Sequence, residues 1–117
     1  MSIKFSIIIP SLNSKFFLNQ CLNSIFEQSY TNYEIIVIDG KSDDGTVEFL
    51  KTLGDKIKWI SEKDNGQADA INKGINISSG DWITWQNCDD YYINKDAFSI
   101  FQKAIDLNQS KKLFIGN

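Results

Sequence analysis

The feature that most constrains the fold is an alternation of short apolar runs with apolar stripes of helical period, repeated along 117 residues. Phe5 to Ile9 is an apolar run closed by Pro10, and Glu34 to Ile38 is a second, closed by Asp39 and Gly40. Runs of this length, ended by turn residues, suit buried strands. Between them Leu18, Cys21, Leu22, Ile25 and Phe26 form one apolar face of a helix, with Asn13 or Ser14 placed to cap its start. Val47, Leu50 and Leu53 then stripe a second helix, Lys56 to Ser61 reads as a third strand, and Ala68, Ile71 and Ile75 stripe a third helix. Trp82 to Trp85 reads as a fourth strand. Ala97, Phe98, Phe101, Ala104 and Ile105 stripe a fourth helix, and Leu113 to Ile115 opens a fifth strand. This order predicts an α/β fold: a Rossmann-like, mostly parallel sheet with helices on both faces and right-handed crossovers.

No linker, repeat or low-complexity stretch interrupts the pattern, so residues 1–117 read as one domain. No segment approaches the roughly 18 unbroken apolar residues of a membrane span. A net charge of -3 and a pI near 4.8 argue against a nucleic-acid surface, and Lys111 with Lys112 makes no basic patch. Cys21 and Cys88 match no zinc or redox spacing and read as free thiols in a reducing compartment. The start, Met1 to Ser6, lacks the basic and apolar regions of a signal peptide, which predicts a cytoplasmic protein. There is no histidine, so any chemistry falls to carboxylates, amides, hydroxyls and lysines.

In open parallel sheets ligands bind beyond the carboxyl ends of the strands. Those ends carry Pro10-Ser11-Leu12-Asn13, then Asp39 to Thr46, then Glu62 to Gln67, then Asn87-Cys88-Asp89-Asp90. The first turn has no glycine, which excludes both the dinucleotide fingerprint and the P-loop. Asp39 ends a strand where a carboxylate can accept from a ribose or a base N–H, or can simply make the turn before Gly40. Asp43-Asp44-Gly45-Thr46 reads chiefly as a helix cap. Gln67, Asp69, Asn72 and Lys73 open the third helix, either as a diphosphate and sugar site or as a solvated face. Asp89 and Asp90 are adjacent carboxylates after an apolar strand, suited to Mg²⁺ or Mn²⁺ or to a hydrated loop.

Four stretches in order, FSIIIPSLN at 5–13, EIIVIDGKSDDGT at 34–46, SEKDNGQADAINKGI at 61–75 and GDWITWQNCDD at 80–90, closely resemble the inverting family-2 glycosyltransferases of the GT-A fold. The resemblance implies a donor site for a nucleoside-diphosphate sugar, a UDP-sugar above all, with Mn²⁺ or Mg²⁺, and a glycan or lipid acceptor. Pro10, Ser11 and Asn13 match the loop that contacts the nucleotide, and Asp39 matches the aspartate that reads the base. Gln67 and Asp69 fall in the diphosphate and sugar neighbourhood. Asn87-Cys88-Asp89 matches the D-x-D motif, whose last carboxylate binds the metal, with Asp90 beside it. Two positions depart from the pattern: Asn87 replaces an aspartate, and Ile71 stands where several relatives have arginine, leaving Lys63 or Lys73 as substitutes.

The resemblance also places the general base on a segment beyond Asn117, so the chain is expected to be the donor-binding part of a longer product. An apolar face left by that boundary would favour self-association into a homo-oligomer. The cellular expectation is a cytoplasmic protein acting peripherally at the inner membrane face, in polysaccharide or glycolipid synthesis. Two rival readings remain. One is a nucleotide-binding module without turnover. The other is a Mg²⁺-dependent receiver-like or phosphatase-like domain built on Asp39, Asp89 and Asp90, which conflicts with Pro10-Ser11 at the end of the first strand.

Overall fold

The computed structural model describes residues 3–87. Four strands are joined by three helices: β1 (Phe5–Ser11), α1 (Lys15–Phe26), β2 (Tyr33–Asp39), α2 (Thr46–Lys51), β3 (Lys58–Ser61), α3 (Gln67–Ile77) and β4 (Trp82–Trp85). All pairings are parallel and the strand order is β3-β2-β1-β4. The expected fourth helix and fifth strand lie outside the described residues.

The sheet separates two apolar layers. On one side Phe5, Ile7, Ile9, Ile35 and Val37 pack with Leu18, Cys21, Leu22 and Ile25 of α1 and with Leu50 of α2. On the other, Ile8, Ile36 and Ile38 pack with Ala70 of α3. β1 and β2 are therefore covered on both faces, which is why they read as unbroken apolar runs rather than alternating ones. The helices before β2 and β3 share a face because those crossovers step the same way along the sheet. The crossover to β4 steps back past β1, so right-handedness puts α3 on the opposite face.

Two expectations, one for a helix and one for a strand, need correction. The third helix was expected to bury Ala68, Ile71 and Ile75, but its buried residues are Ala70 and Gly74, while Ala68 is exposed and Ile75 is 38% exposed. The helix lies so close to β1 that a Cβ at Gly74 would be 2.5 Å from Ile8 Cγ2 and 2.9 Å from its Cγ1. Small residues make that contact, and a stripe of large residues points elsewhere. The third strand begins at Lys58 rather than Lys56 because a 3-10 turn occupies Gly54–Lys56 and Ile57 enters the core.

At the amino ends of the strands Glu34 ties the layers together. Its carboxylate accepts from Ser6 Oγ at 2.6 Å, Lys58 Nζ at 2.7 Å, and both Ser79 N at 2.6 Å and Ser79 Oγ at 3.1 Å. One side chain thereby joins β1, β2, β3 and the turn before β4.

Candidate functional site

The chain steps from β1 outward to β2 and β3 and then returns to the far side of β1 as β4. Loops leaving β1 and β4 consequently diverge, and the space between them is where sheets of this type take ligands. A cleft of about 410 Å³ opens there, lined by Pro10, Ser11, Leu12, Ser14 and Phe17 on one side and by Asp64, Gly66, Gln67, Ala70 and Asn87 on the other.

The β1 and β2 loops are stitched into one wall. The Asn13 N–H donates to Ser42 Oγ at 2.8 Å, and that hydroxyl donates to Asp39 Oδ1 at 2.5 Å. The Asp43 N–H donates to Asn13 Oδ1 at 2.9 Å, and the Gly40 N–H to the Ser11 carbonyl at 2.8 Å. Asn13 makes these bonds from a left-handed backbone, φ 49°, which asparagine tolerates better than most residues. Its side chain serves the wall rather than the cleft surface.

Asp44 fulfils the capping expectation in a wider sense than the sequence implied. Its carboxylate accepts the Lys15 N–H at 3.0 Å and the Thr46 N–H at 3.2 Å, along with the Thr46 hydroxyl. One acid thus caps the first residues of both α1 and α2. The Thr46 hydroxyl, and then the Lys15 amide, hold its pKa below the usual carboxylate value. Ser14 does not cap α1, because its hydroxyl donates to the Leu12 carbonyl instead.

Asp39 ends β2 fully buried, with Ser42 N and Ser61 Oγ both donating to Oδ2 at 2.8 Å. Three donors organise this carboxylate, and Ser61 fixes it to β3. Asp64 reaches over Gly40, where a Cβ would lie 3.2 Å from Asp64 Oδ2, so glycine permits the close approach of the two loops. Asp64 Oδ1 accepts the Gly66 N–H at 3.0 Å and shapes the start of α3.

Of the sequence-derived residues, Pro10, Ser11, Gln67 and Asn87 meet in the cleft. Asp69 is placed apart from that lining: it accepts the Asn65 N–H at 3.0 Å and lies 3.7 Å from Lys73 Nζ. Lys73 is held by Glu62 at 3.2 Å and by the Lys63 carbonyl, so its ammonium turns away from the cleft lining. Partial desolvation opposes its charge, but Glu62, Asp69 and Asp64 together raise its pKa. Cys88, Asp89 and Asp90 lie outside the described residues, and among the described residues no cluster of three or more His, Cys, Asp or Glu could hold a metal. Cys21 is buried in the core.

Leu12, Ser14, Phe17 and Asp64 line the cleft without carrying a binding role in the sequence reading, where Ser14 is only a candidate cap. Leu12 and Phe17 are apolar yet 59% and 48% exposed, a signal of surface use that only the fold reveals. The twelve basic residues are all lysine, so this chain has no guanidinium to grip a diphosphate, and among the described residues no lysine lines the cleft. Ser11 Oγ faces this region buried and without a hydrogen-bond partner among the described residues.

Comparison with known proteins agrees with this geometry. The chain is 32% identical over 117 residues to the PGL/p-HBAD biosynthesis glycosyltransferase of Mycobacterium tuberculosis, covering 97% of this chain and 46% of that protein. It is 30% identical over 106 residues to glycosyltransferase GlyA of Streptococcus pneumoniae, covering 88% of this chain and 15% of that one. The chain therefore spans less than half the length of the curated relatives it matches. Among solved structures, S. aureus TarS 1-349 in complex with UDP-GlcNAc superposes with a TM-score of 0.80 at 26% identity, over 92% of this chain and 32% of that one. The fold is also that of mannosyltransferase PcManGT from Pyrobaculum calidifontis in complex with GDP-Man and Mn²⁺, with a TM-score of 0.80 at 23% identity over 90% of this chain and 33% of that one. No helix among the described residues is long and apolar enough to cross a membrane. The family model for glycosyl transferase family 2 matches residues 6–110, nearly the whole chain, and the chain belongs to that family.

Proposed function

We propose that residues 1–117 form the part of a glycosyltransferase catalytic domain that binds a nucleoside-diphosphate sugar, a UDP-sugar first, for inverting transfer to a glycan or lipid acceptor. The observation that carries this reading is the cleft at the point where the strand order reverses, with Ser11, Gln67 and Asn87 along it and Asp39 anchored in its wall. The UDP-GlcNAc complex of TarS, a relative in fold and sequence, supports the choice of uridine donor. The cellular setting that fits is a cytoplasmic enzyme of polysaccharide or glycolipid synthesis, working peripherally at the membrane face.

A divalent ion suits this cleft on charge grounds. Among the described residues the only charged side chain lining it is Asp64, so a diphosphate would meet no cation from those residues there. Asp89, with Asp90, offers the hard oxygen ligands that Mn²⁺ or Mg²⁺ takes, and the Asn87 amide adds none of the charge that an aspartate would. A bound ion would supply Lewis-acid stabilisation of the departing diphosphate. The residues of this chain bind and orient the donor, and Ser11, Gln67 and Asn87 supply neutral hydrogen-bonding groups along it.

Titration of the chain with UDP in a calorimeter tests the reading. Binding is expected with Mn²⁺ and is expected to fall with chelator, and Asp89→Ala should abolish the metal dependence. Metal-independent UDP binding that the mutant leaves unchanged would sink the metal assignment, and absence of UDP binding would sink the donor reading itself.

A further inference from the structure

Gln67 and Asn87 meet across the mouth of the cleft. Gln67 is the first residue of α3, Asn87 follows β4, and Gln67 Nε2 donates to Asn87 Oδ1 at 2.6 Å. A primary amide is planar, with its acceptor oxygen and its two N–H donors on opposite branches. With the oxygen committed to Gln67, the Nδ2 branch is the one offered to a ligand. We infer that Gln67 is a positioning residue that fixes the Asn87 amide as a hydrogen-bond donor into the cleft, directed at a phosphoryl oxygen of the bound nucleotide. This rests on the donor-binding reading above and adds to it a residue that selects the anionic part of the ligand.

Two features favour a phosphoryl oxygen over a hydroxyl. Gly66 and Gln67 line the same cleft at the start of α3, an eleven-residue helix whose positive dipole end faces the same space, with the Gly66 N–H taken by Asp64. Among the described residues the lining also has no cationic side chain, so beside a bound ion it is neutral donors that meet the anion. An aspartate at position 87 could accept from Gln67 equally well. Its second oxygen would then offer an acceptor, suited to a hydroxyl or a metal-bound water, whereas asparagine keeps the bond and offers a donor instead.

The test is a double-mutant cycle on the full 117-residue chain, with Gln67→Leu and Asn87→Ala separately and together. UDP and uridine affinities are measured by calorimetry in Mn²⁺, and thermal melts check folding. Gln67 is exposed, so the leucine variant should keep the fold. Gln67→Leu is expected to weaken UDP about fivefold, the scale of one neutral hydrogen bond. It should move uridine by less than about twofold and add nothing in the Asn87→Ala background, since a residue acting only through its partner has no effect once the partner is gone. Equal losses in both backgrounds, equal losses for UDP and uridine, or no loss at all would overturn the inference. A wild-type chain that binds no UDP would instead bring down the donor reading on which it stands.

Discussion

Glu34→Gln should cost this protein stability at neutral pH and progressively less as the solution is acidified. The Glu34 side chain is only 8% exposed. Burial alone would push its pKa up, but the hydrogen bonds from Lys58, Ser6 and Ser79 outweigh that and hold it at about 2 instead of the usual 4.5. A carboxylate whose folded pKa is depressed contributes stability that is fully present above its unfolded value and is lost as pH falls through the folded value. The window is therefore pH 4.5 down to about 2. At about 1.4 kcal/mol per pKa unit the shift corresponds to roughly 3 kcal/mol. Lys58 is 55% exposed, so screening reduces its share, and about 2 kcal/mol is the working value.

Urea midpoints for wild type and Glu34→Gln, taken at intervals from pH 7 to pH 3, measure this directly. Glutamine keeps the shape and one acceptor but turns an N–H₂ toward a site ringed by donors. The stability gap should be about 2 kcal/mol at pH 7 and about half that at pH 3, because there the unfolded wild type has taken up a proton that the folded state still excludes. Other titrating groups cancel in the difference. A gap that stays constant across the range would mean that shape, and not the ionised carboxylate, is what matters at this position. A negligible gap at pH 7 would refute the network's contribution altogether.

Asp44→Ala should lower stability by about 1 to 2 kcal/mol, above the usual loss for one cap because the ends of α1 and α2 lose the same acceptor. Asp44→Asn should recover much of that, and denaturation midpoints would distinguish the two. Gly74→Ala should destabilise by about 1 to 2 kcal/mol even though alanine is the better helix former by about 1 kcal/mol, since its Cβ falls within van der Waals distance of Ile8. A stabilised alanine variant would show that α3 rests farther from the sheet.

What was legible in sequence follows from how each contact is encoded. β1, β2 and β4 are short segments whose own residues supply the buried surface, so an apolar run marks them directly. The buried stripe of α1 is equally local. α3 was misjudged because its sheet contact is made by Ala70 and Gly74, residues that carry little hydrophobic signal and matter for what they lack. The Asp44 cap could be suspected for α2 but not for α1, since its bond to Lys15 joins residues of different loops. The loops after β1, β2 and β3 gather at one edge of the sheet, as their polar sequences predict. Which of their side chains reach the cleft depends on how the loops stack, and so Asn13 and Asp69 turn out to brace neighbouring backbone, while Leu12 and Phe17 join the lining.

β1 itself shows how stability and binding are divided between the two ends of this sheet. Ser6, near its start, is fully buried and fully employed: its hydroxyl donates to Glu34 at 2.6 Å and accepts the Gly80 N–H at 2.7 Å. Ser11, at its end, is just as well buried at 5% exposure, yet its hydroxyl has no partner among the described residues. A buried hydroxyl without a partner costs about 1 to 3 kcal/mol. A fold selected for stability alone would place alanine there. The cost falls on the strand end beside the cleft, while at the opposite edge Ser6 and Glu34 satisfy one another. The amino edge thus holds the strands in register, and at the carboxyl edge the Ser11 hydroxyl, unpartnered among the described residues, is a group that the proposed donor would engage.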